Sequence, residues 1–351
     1  MGKPKQPQRK FVVKEKVKQE LPIESAYTEL LTVQTALLTS NAAQTAAYGI
    51  CSIMSGISHR EATLPQQALL GVVHHAFADI FADPQFATHL RSIKDLFLER
   101  DFTAIFTNPS YLPVYAAEYI PCRALCYRDL FLRIEELRTG LLQGGQILCL
   151  GAGNGSEALA IGSALHGMQT VSPLRVHIQD RSSYGSVLSR LAESMQSQLG
   201  IGSPGFHISE STGDLLEMAD LTALVLPLVS DSKLITAMFL LNELLATSKR
   251  GFTVLMSQLI QHMSAGSYFL VVDSAGSFSE VALGTDQQAV THNQRQQLQK
   301  RTYMAYEFLD PIQAFRICAS YDSIWFRCDS NLSFPLKLNN MRYFLRLYQK
   351  L

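Results

Sequence analysis

A glycine-rich segment places the tightest constraint on the fold of this chain. The apolar run 146–150 leads directly into Gly151-Ala152-Gly153-Asn154-Gly155, and a helical pattern begins at Ser156. Glycine has no Cβ, so such a turn can adopt unusual dihedrals and approach a ligand closely. A strand, a glycine turn and a helix in this order are typical of doubly wound α/β folds, which bind ligands at the carboxyl ends of their strands. We therefore predict a ligand-binding loop at Gly151, Ala152, Gly153 and Gly155; the alternative is a turn without function.

The spacing of these glycines distinguishes between two classes of ligand. A dinucleotide-binding loop has the pattern G-x-G-x-x-G, and the following helix receives a pyrophosphate. In this chain Ser156 occupies the last position of that pattern, and the third glycine comes one residue early. The pattern G-x-G-x-G is usually associated with S-adenosyl-L-methionine, which has no phosphate. We therefore expect S-adenosyl-L-methionine as the cofactor.

Two acidic residues follow the next predicted strands. Asp180 ends the predicted strand 174–179, at a position where a carboxylate can accept hydrogen bonds from ribose hydroxyls. An insertion at residues 166–173 explains why Asp180 follows the loop by more than the ~20 residues of a short dinucleotide unit. Asp214 comes after the third predicted strand and could accept the adenine amino group, or it could cap a helix. Both residues are candidates for cofactor binding.

Three further positions bear on the chemistry. Many enzymes of this type have an acidic residue two positions before the first glycine, where this chain has Cys149. Backbone contacts alone could therefore order the loop. Asn242 and Glu243 follow the fourth predicted strand, where methyltransferases often place a polar pair that faces the substrate. The same pair could equally begin a helix.

The chain divides into three predicted parts. Residues 1–20 form a basic, flexible tail, and residues 21–140 show helical spacing that predicts a helical domain. Residues 141–351 alternate strand and helix, as in a parallel sheet covered by helices, and end in an antiparallel hairpin. Within this part, residues 276–315 are polar and predict a crossover or lid. Trp325 and the aromatic residues of the last strand are expected in the sheet core.

Charge is segregated along the chain although the formal net charge is zero. Residues 1–20 contain seven basic and two acidic residues, which leaves 23 basic and 28 acidic residues for the rest. The tail is therefore suited to contact phosphates. No apolar run approaches the ~18 residues of a membrane span, and the six scattered cysteines predict neither a metal site nor disulfides. We expect a soluble intracellular protein without a membrane or metal partner.

Several segments resemble the fungal ribosomal-RNA uridine-N3 methyltransferases. They are the glycine loop and residues 119–128, 239–245, 272–278 and 342–348. The resemblance covers residues 25–351. It implies a class I methyltransferase fold, with a mostly parallel seven-stranded sheet, and methyl transfer to a uridine ring nitrogen of 25S ribosomal RNA. It also implies ribosomal RNA or a pre-ribosomal particle as partner, and a nuclear or nucleolar location with the cytoplasm as a further possibility; we expect a monomer.

The implied reaction gives roles to four residues. A uridine ring N–H must lose its proton, so Glu243 is the candidate general base and Asn242 the residue that orients the base edge. An acceptor on the pairing edge must be unpaired or flipped, and is usually stacked on an aromatic or arginine plane. Tyr127 and Arg128 could supply that plane, or they could be a packed helix face. A methyltransferase for a protein or small molecule, or a catalytically silent assembly factor with this fold, are the alternative functions.

Overall fold

The computed structural model describes residues 59–99, 101–166, 168, 172–276, 279–281 and 301–351. The described residues all belong to one compact unit. The predicted tail 1–20 and much of the predicted crossover 276–315 lie outside the described residues. In the part that is described, no helix is long and apolar enough to cross a membrane.

The described residues before the sheet are helical. They form α1 (His59–Ala76), α2 (Ala78–Ala82), α3 (Phe86–Glu99), α4 (Phe102–Phe106), α5 (Tyr111–Arg133) and α6 (Glu135–Gln143). The Asp101 side chain begins α4 by accepting a hydrogen bond from the Ala104 backbone N–H at 2.9 Å. The predicted division of the chain at residue 140 stays a prediction.

Strands and helices alternate from Gly145 onward. The strands are β1 (Gly145–Leu150), β2 (Leu174–Asp180), β3 (Phe206–Thr212), β4 (Ser232–Met238), β5 (Tyr268–Ser274), β6 (Ser279–Val281), β7 (Arg301–Tyr303), β8 (Phe315–Phe326) and β9 (Met341–Lys350). The helices are α7 (Ser156–Leu165), α8 (Gly185–Leu199), α9 (Met218–Asp220), α10 (Leu226–Val229), α11 (Leu241–Thr247), α12 (Lys249–His262) and α13 (Tyr306–Leu309), with a π-helix at Leu221–Val225.

Seven strands form one sheet in the order β3-β2-β1-β4-β5-β9-β8. Strands β1 to β5 pair in parallel, and β9 runs antiparallel to both β5 and β8. The remaining strands β6 and β7 pair with each other. The predicted α/β fold, a mostly parallel seven-stranded sheet that ends in an antiparallel hairpin, is confirmed. The hairpin is longer than predicted, since β8 begins well before residue 323.

Helices cover both faces of this sheet. Along β1, Ile147 and Cys149 belong to a core that includes buried residues of α5, α7 and α8, whereas Leu148 and Leu150 belong to a second core with α11 and α12. Successive side chains of a strand point to opposite faces, so a strand that is buried on both sides becomes a continuous apolar run. This is why the five residues before Gly151 are almost all apolar.

Trp325 does not lie in the core of the sheet, contrary to the prediction from the sequence. Tyr343, Phe344 and Tyr348 of β9 are buried, but 54% of the surface of Trp325 is exposed. The reason is the strand order: β9 lies inside the sheet, and β8 is its last strand. A hydrophobic pattern alone does not reveal which strand of a hairpin lies at the edge.

Candidate active site

The glycine loop joins β1 to α7 at the carboxyl edge of the sheet. Gly151 and Gly155 have φ angles of 63° and 79°, in the left-handed region that favours glycine. The backbone N–H of Gly151 donates to the Gln179 carbonyl at 2.7 Å, which ties the loop to β2. A Cβ at Gly153 would lie 2.2 Å from Cε2 of Tyr184, so there is no room for a side chain. Each of the three glycines is therefore required by geometry.

Asp180 ends β2 directly beside this loop. Its Oδ2 accepts a hydrogen bond from the Gly153 N–H at 2.9 Å, and its Oδ1 accepts from the Ser182 N–H at 3.0 Å. Burial raises the pKa of Asp180, although these backbone donors favour its charged form. The structure thus places the predicted acidic residue next to the predicted loop.

Buried polar atoms without a partner lie at the same place. In the described part of the chain they include Nδ2 of Asn154, inside the loop, and Oε1 of Gln179, the residue before Asp180. The Asn154 Oδ1 accepts hydrogen bonds from the backbone N–H and the hydroxyl of Ser156. An unpaired buried donor or acceptor is costly, so these atoms suit a bound polar molecule.

Asp214 lies beyond β3, near the Arg181 side chain. Its Oδ1 accepts from the Leu216 N–H at 2.9 Å, and its Oδ2 lies 3.8 Å from Nε of Arg181. The hydrogen bond from Leu216 closes a local turn and does not cap a helix, because the next helix begins only at Met218. A contact with adenine stays a prediction for this residue.

Asn242 connects three segments at the carboxyl ends of β4 and β5. Its backbone N–H donates to Oδ2 of Asp273 at 2.9 Å, and its Oδ1 accepts from the Ala305 N–H at 3.0 Å. The residue lies in the first turn of α11 and is 5% exposed. Asn242 therefore anchors residue 305 to the site, a contact that the sequence did not suggest. Its predicted role at the base edge stays a prediction.

Glu243 follows and keeps an exposed side chain. Loss of hydration beside the surrounding protein raises the pKa of Glu243. The carboxylates of Asp273 and Asp180 raise this pKa further, and Arg181 lowers it. Burial also raises the pKa of Asp273, to about 6. Two neighbouring carboxylates therefore help Glu243 to keep its proton to a higher pH than an isolated glutamate.

Glu157 is a buried acidic residue that sequence reasoning missed. It lies in the first turn of α7 and is 2% exposed. Burial raises its pKa to about 8. Its Oε1 accepts a hydrogen bond from the Thr236 hydroxyl at 3.4 Å, and Thr236 pairs with Cys149 across β4 and β1. A carboxyl group thus lies near the position where Cys149 replaces the usual acid.

Tyr127 and Arg128 require a correction. They are 1% and 8% exposed, so neither offers a plane to a nucleotide base. The Tyr127 ring lies behind Phe239, with 6.5 Å between the ring centroids. Nε of Arg128 is buried without a partner. Their helix α5 packs against α1, α3, α6 and α7, and this packing on several sides is the physical reason for their burial.

Arg123 lies on the same helix and faces the site instead. Its guanidinium donates to the Tyr115 hydroxyl at 2.7 Å and lies 5.3 Å from the Tyr119 ring centroid and 5.8 Å from that of Phe239. We call these four residues the arginine cluster. Phe239 follows β4 with a φ of 57°, unusual for a residue with a side chain. The signal that was missed is the four-residue spacing of 115, 119 and 123, which places them on one helix face.

The strand order, the glycine loop and Asp180 define the class of S-adenosylmethionine-dependent methyltransferases. Residues 73–349 match the family described as "Putative SAM-dependent methyltransferase". The chain belongs to this family.

Individual proteins with similar sequences or folds are also known. The 25S rRNA (uridine(2843)-N(3))-methyltransferase of Saccharomyces cerevisiae is 24% identical over 327 residues, which cover 83% of this chain and 87% of that protein. The mitomycin 7-O-methyltransferase MmcR has a TM-score of 0.39 at 12% identity, covering 81% of this chain and 74% of its own. The N-methyltransferase NodS of Bradyrhizobium japonicum, in complex with S-adenosyl-L-homocysteine, has a TM-score of 0.38 at 13% identity. The match covers 68% of this chain and 96% of NodS.

The residues at the loop fit S-adenosyl-L-methionine. The glycines bring the loop backbone close to Leu240, Tyr184 and Leu188, and S-adenosyl-L-methionine has no phosphate that the loop would have to bind. Asp180 stays the candidate for the ribose hydroxyls, and the unpaired Nδ2 of Asn154 can donate to a further oxygen. In the described part of the chain, no three His, Cys, Asp or Glu side chains are grouped to hold a metal ion.

Proposed function

We propose that this protein methylates N3 of a uridine in large-subunit ribosomal RNA. The observation that carries the proposal is its similarity to the yeast 25S ribosomal-RNA enzyme, which extends over 83% of this chain and 87% of that protein. The site supports it, because a proton-accepting carboxylate and an aromatic cluster lie beside the cofactor loop. A nuclear or nucleolar location and a pre-ribosomal substrate belong to the same proposal.

The loop and Asp180 hold the cofactor. Bound S-adenosyl-L-methionine supplies an electrophilic methyl group. The protein's main task is then to position the acceptor and to remove its proton. Asp180 and Gly153 are already joined by a hydrogen bond, so the cofactor side of the site is organised before the RNA arrives.

Glu243 accepts the proton of the uridine ring nitrogen. A general base works best when its pKa lies near the operating pH. The protein environment and the neighbouring carboxylates of Asp273 and Asp180 raise the pKa of Glu243 in that direction. Asn242, the preceding residue, contacts the edge of the base in this proposal. Its hydrogen bonds to Asp273 and Ala305 fix its place at the end of β4.

The arginine cluster receives the flipped base. Tyr119, Arg123 and Phe239 are partly exposed, whereas Tyr115 is buried behind them and holds the guanidinium. Aromatic rings and a guanidinium plane are the surfaces on which proteins stack unpaired RNA bases. The cluster thus takes the role first predicted for Tyr127 and Arg128.

Methyl transfer to ribosomal RNA tests the proposal directly. Purified protein is incubated with tritiated S-adenosyl-L-methionine and 25S ribosomal RNA from a yeast strain that lacks this modification. Nucleoside mass spectrometry then identifies the product. We expect 3-methyluridine at one site, and much less of it with the Asp180→Ala variant when the cofactor concentration is near the Kd of the unmodified protein. Labelling of another nucleoside, or of protein only, would refute the proposed acceptor.

A further inference from the structure

The exposed end of the sheet carries an aromatic residue flanked by arginines. Trp325 is the only tryptophan in the sequence. The guanidinium of Arg327 lies 5.7 Å from the Trp325 ring centroid, and Arg342 is the direct cross-strand partner of Trp325 on β9. Both arginines are exposed. We call these three residues the rim platform.

Strand register places the rim platform at the same sheet edge as the active site. The last residue of β5, Ser274, pairs with Tyr343 of β9, and Tyr343 pairs with Ile324 of β8. Trp325 and Arg342 therefore lie one residue beyond the carboxyl end of β5. Two strand spacings of ~4.8 Å separate β8 from β5, and three separate it from β4. The platform lies roughly 15 Å from the end of β4, where Asn242 and Glu243 follow.

The chemistry of the rim platform suits single-stranded RNA. An exposed tryptophan offers a stacking surface for a base, and arginines beside it can bind the adjoining phosphates. The residues after position 20 carry a net negative charge, so RNA affinity in this part of the protein must be local. A pair of exposed arginines around an aromatic ring is such a local site.

We propose that Trp325, Arg327 and Arg342 bind the RNA strand that flanks the acceptor nucleotide. Trp325 stacks on a base, and the two arginines contact phosphates on either side. The surface extends the substrate site from a single flipped base to several nucleotides. The inference rests on the proposed function for its RNA ligand, and it adds a contact surface outside the cleft.

The single tryptophan allows a direct test with the unmodified chain of 351 residues. A 12-nucleotide single-stranded RNA that contains uridine is titrated while the tryptophan fluorescence and the anisotropy of a labelled copy of the RNA are recorded. Stacking on Trp325 should quench the fluorescence with the same midpoint as the anisotropy change. RNA binding without a change in fluorescence would overturn the proposal, and so would the absence of binding at low salt.

Substitutions separate stacking from charge. Because Trp325 is exposed, Trp325→Ala should leave the fold intact and weaken RNA binding roughly 5- to 150-fold, whereas Trp325→Phe keeps most of the affinity. Arg327→Ala and Arg342→Ala should each lower the slope of log K against log salt by about 0.7. Tyr321→Ala removes another exposed aromatic residue of β8, further from the rim, and is the matched control. Equal losses for Tyr321→Ala and Trp325→Ala would contradict a specific platform.

Two outcomes separate this inference from the proposed function. If the protein produces 3-methyluridine and Trp325→Ala has an unchanged KM for RNA, the platform is refuted and the function stands. If RNA quenches Trp325 but no uridine is methylated, the platform stands and the proposed acceptor is refuted.

Discussion

The carboxylate of Asp180 and the backbone of Gly153 are joined by a hydrogen bond of 2.9 Å between Oδ2 and N. The bond links the end of β2 to the loop that follows β1, two segments that are neighbours only because the strands pair in parallel. A fixed carboxylate beside a glycine turn requires little rearrangement when a ligand arrives. The bond gives Asp180 a role in the conformation of the loop, beside the contact with ribose that we propose for it.

Removing the Asp180 carboxylate should weaken cofactor binding. A hydrogen bond to a charged group contributes about 1.5–3 kcal/mol, so Asp180→Ala should raise the Kd for S-adenosyl-L-methionine by roughly 10- to 150-fold. Calorimetric titration measures this. Asp231→Ala is the control, because Asp231 is an exposed carboxylate at the opposite end of the sheet, just before β4. If Asp180→Ala and the unmodified protein bind S-adenosyl-L-methionine with equal affinity, Asp180 does not contribute to cofactor binding.

Gly153 should tolerate no side chain. In a Gly153→Ala variant the new Cβ would lie 2.2 Å from Cε2 of Tyr184 and 2.7 Å from Oδ2 of Asp180. Tyr184 is buried and has little freedom to move. We expect cofactor binding to be lost, as measured by the same titration, with a modest loss of thermal stability. In Gly140→Ala the Cβ meets nothing within 4 Å, so that variant should bind the cofactor normally. Normal binding by both variants would show that the loop can rearrange.

The glycine loop and Asp180 could be predicted from the sequence because their signals are local. A strand, a turn and a helix follow one another in the chain, and an acidic residue ends the next strand. Arg123 and Trp325 could not be predicted in this way. Their environment depends on which face of α5 meets α7 and on the position of β8 at the sheet edge, and neither is encoded in a short segment. The contact between Asn242 and Ala305 joins residues that are far apart in the chain.

Burial of Glu157 should make stability depend on pH. Its pKa is raised to about 8 in the folded protein, above the ~4.3 of an exposed glutamate, so the folded state binds the proton more tightly. This contribution to stability is fully present below the unfolded pKa and is lost as pH rises toward 8. Glu157→Gln keeps an acceptor for Thr236 and cannot ionise.

We therefore expect the free energy of unfolding of the unmodified protein to fall between pH 5 and pH 8.5 more steeply than that of Glu157→Gln. The difference should be about 1 kcal/mol or more, since one pKa unit corresponds to ~1.4 kcal/mol. Urea titrations at the two pH values measure it. Asp273, whose pKa is about 6, contributes the same trend to both proteins. Parallel pH dependences would contradict an ionisable, buried Glu157.

Glu243 should determine how the methylation rate depends on pH. A general base acts in its deprotonated form, and a raised pKa moves the pH at which that form appears upward. The rate constant kcat/KM for RNA should therefore rise with pH through the raised pKa. Glu243→Gln should lower the rate by about 10²- to 10⁴-fold and abolish this rise. Glu193→Gln changes an exposed glutamate of α8 and should behave like the unmodified protein. A full methylation rate for Glu243→Gln at all pH values would exclude Glu243 as the general base.

Arg123 distinguishes RNA contacts from cofactor contacts at the same site. If its guanidinium stacks on the acceptor base, Arg123→Ala should raise the KM for RNA roughly 5- to 150-fold, since such stacking contributes about 1–3 kcal/mol per base. The Kd of Arg123→Ala for S-adenosyl-L-methionine should stay within about twofold of that of the unmodified protein. Arg133→Ala, which removes an exposed arginine from the same helix, is the control. Arg123→Lys retains the charge but loses the plane, so it should recover little of the RNA affinity. A weaker cofactor affinity with an unchanged KM for RNA would instead place Arg123 on the cofactor side of the cleft.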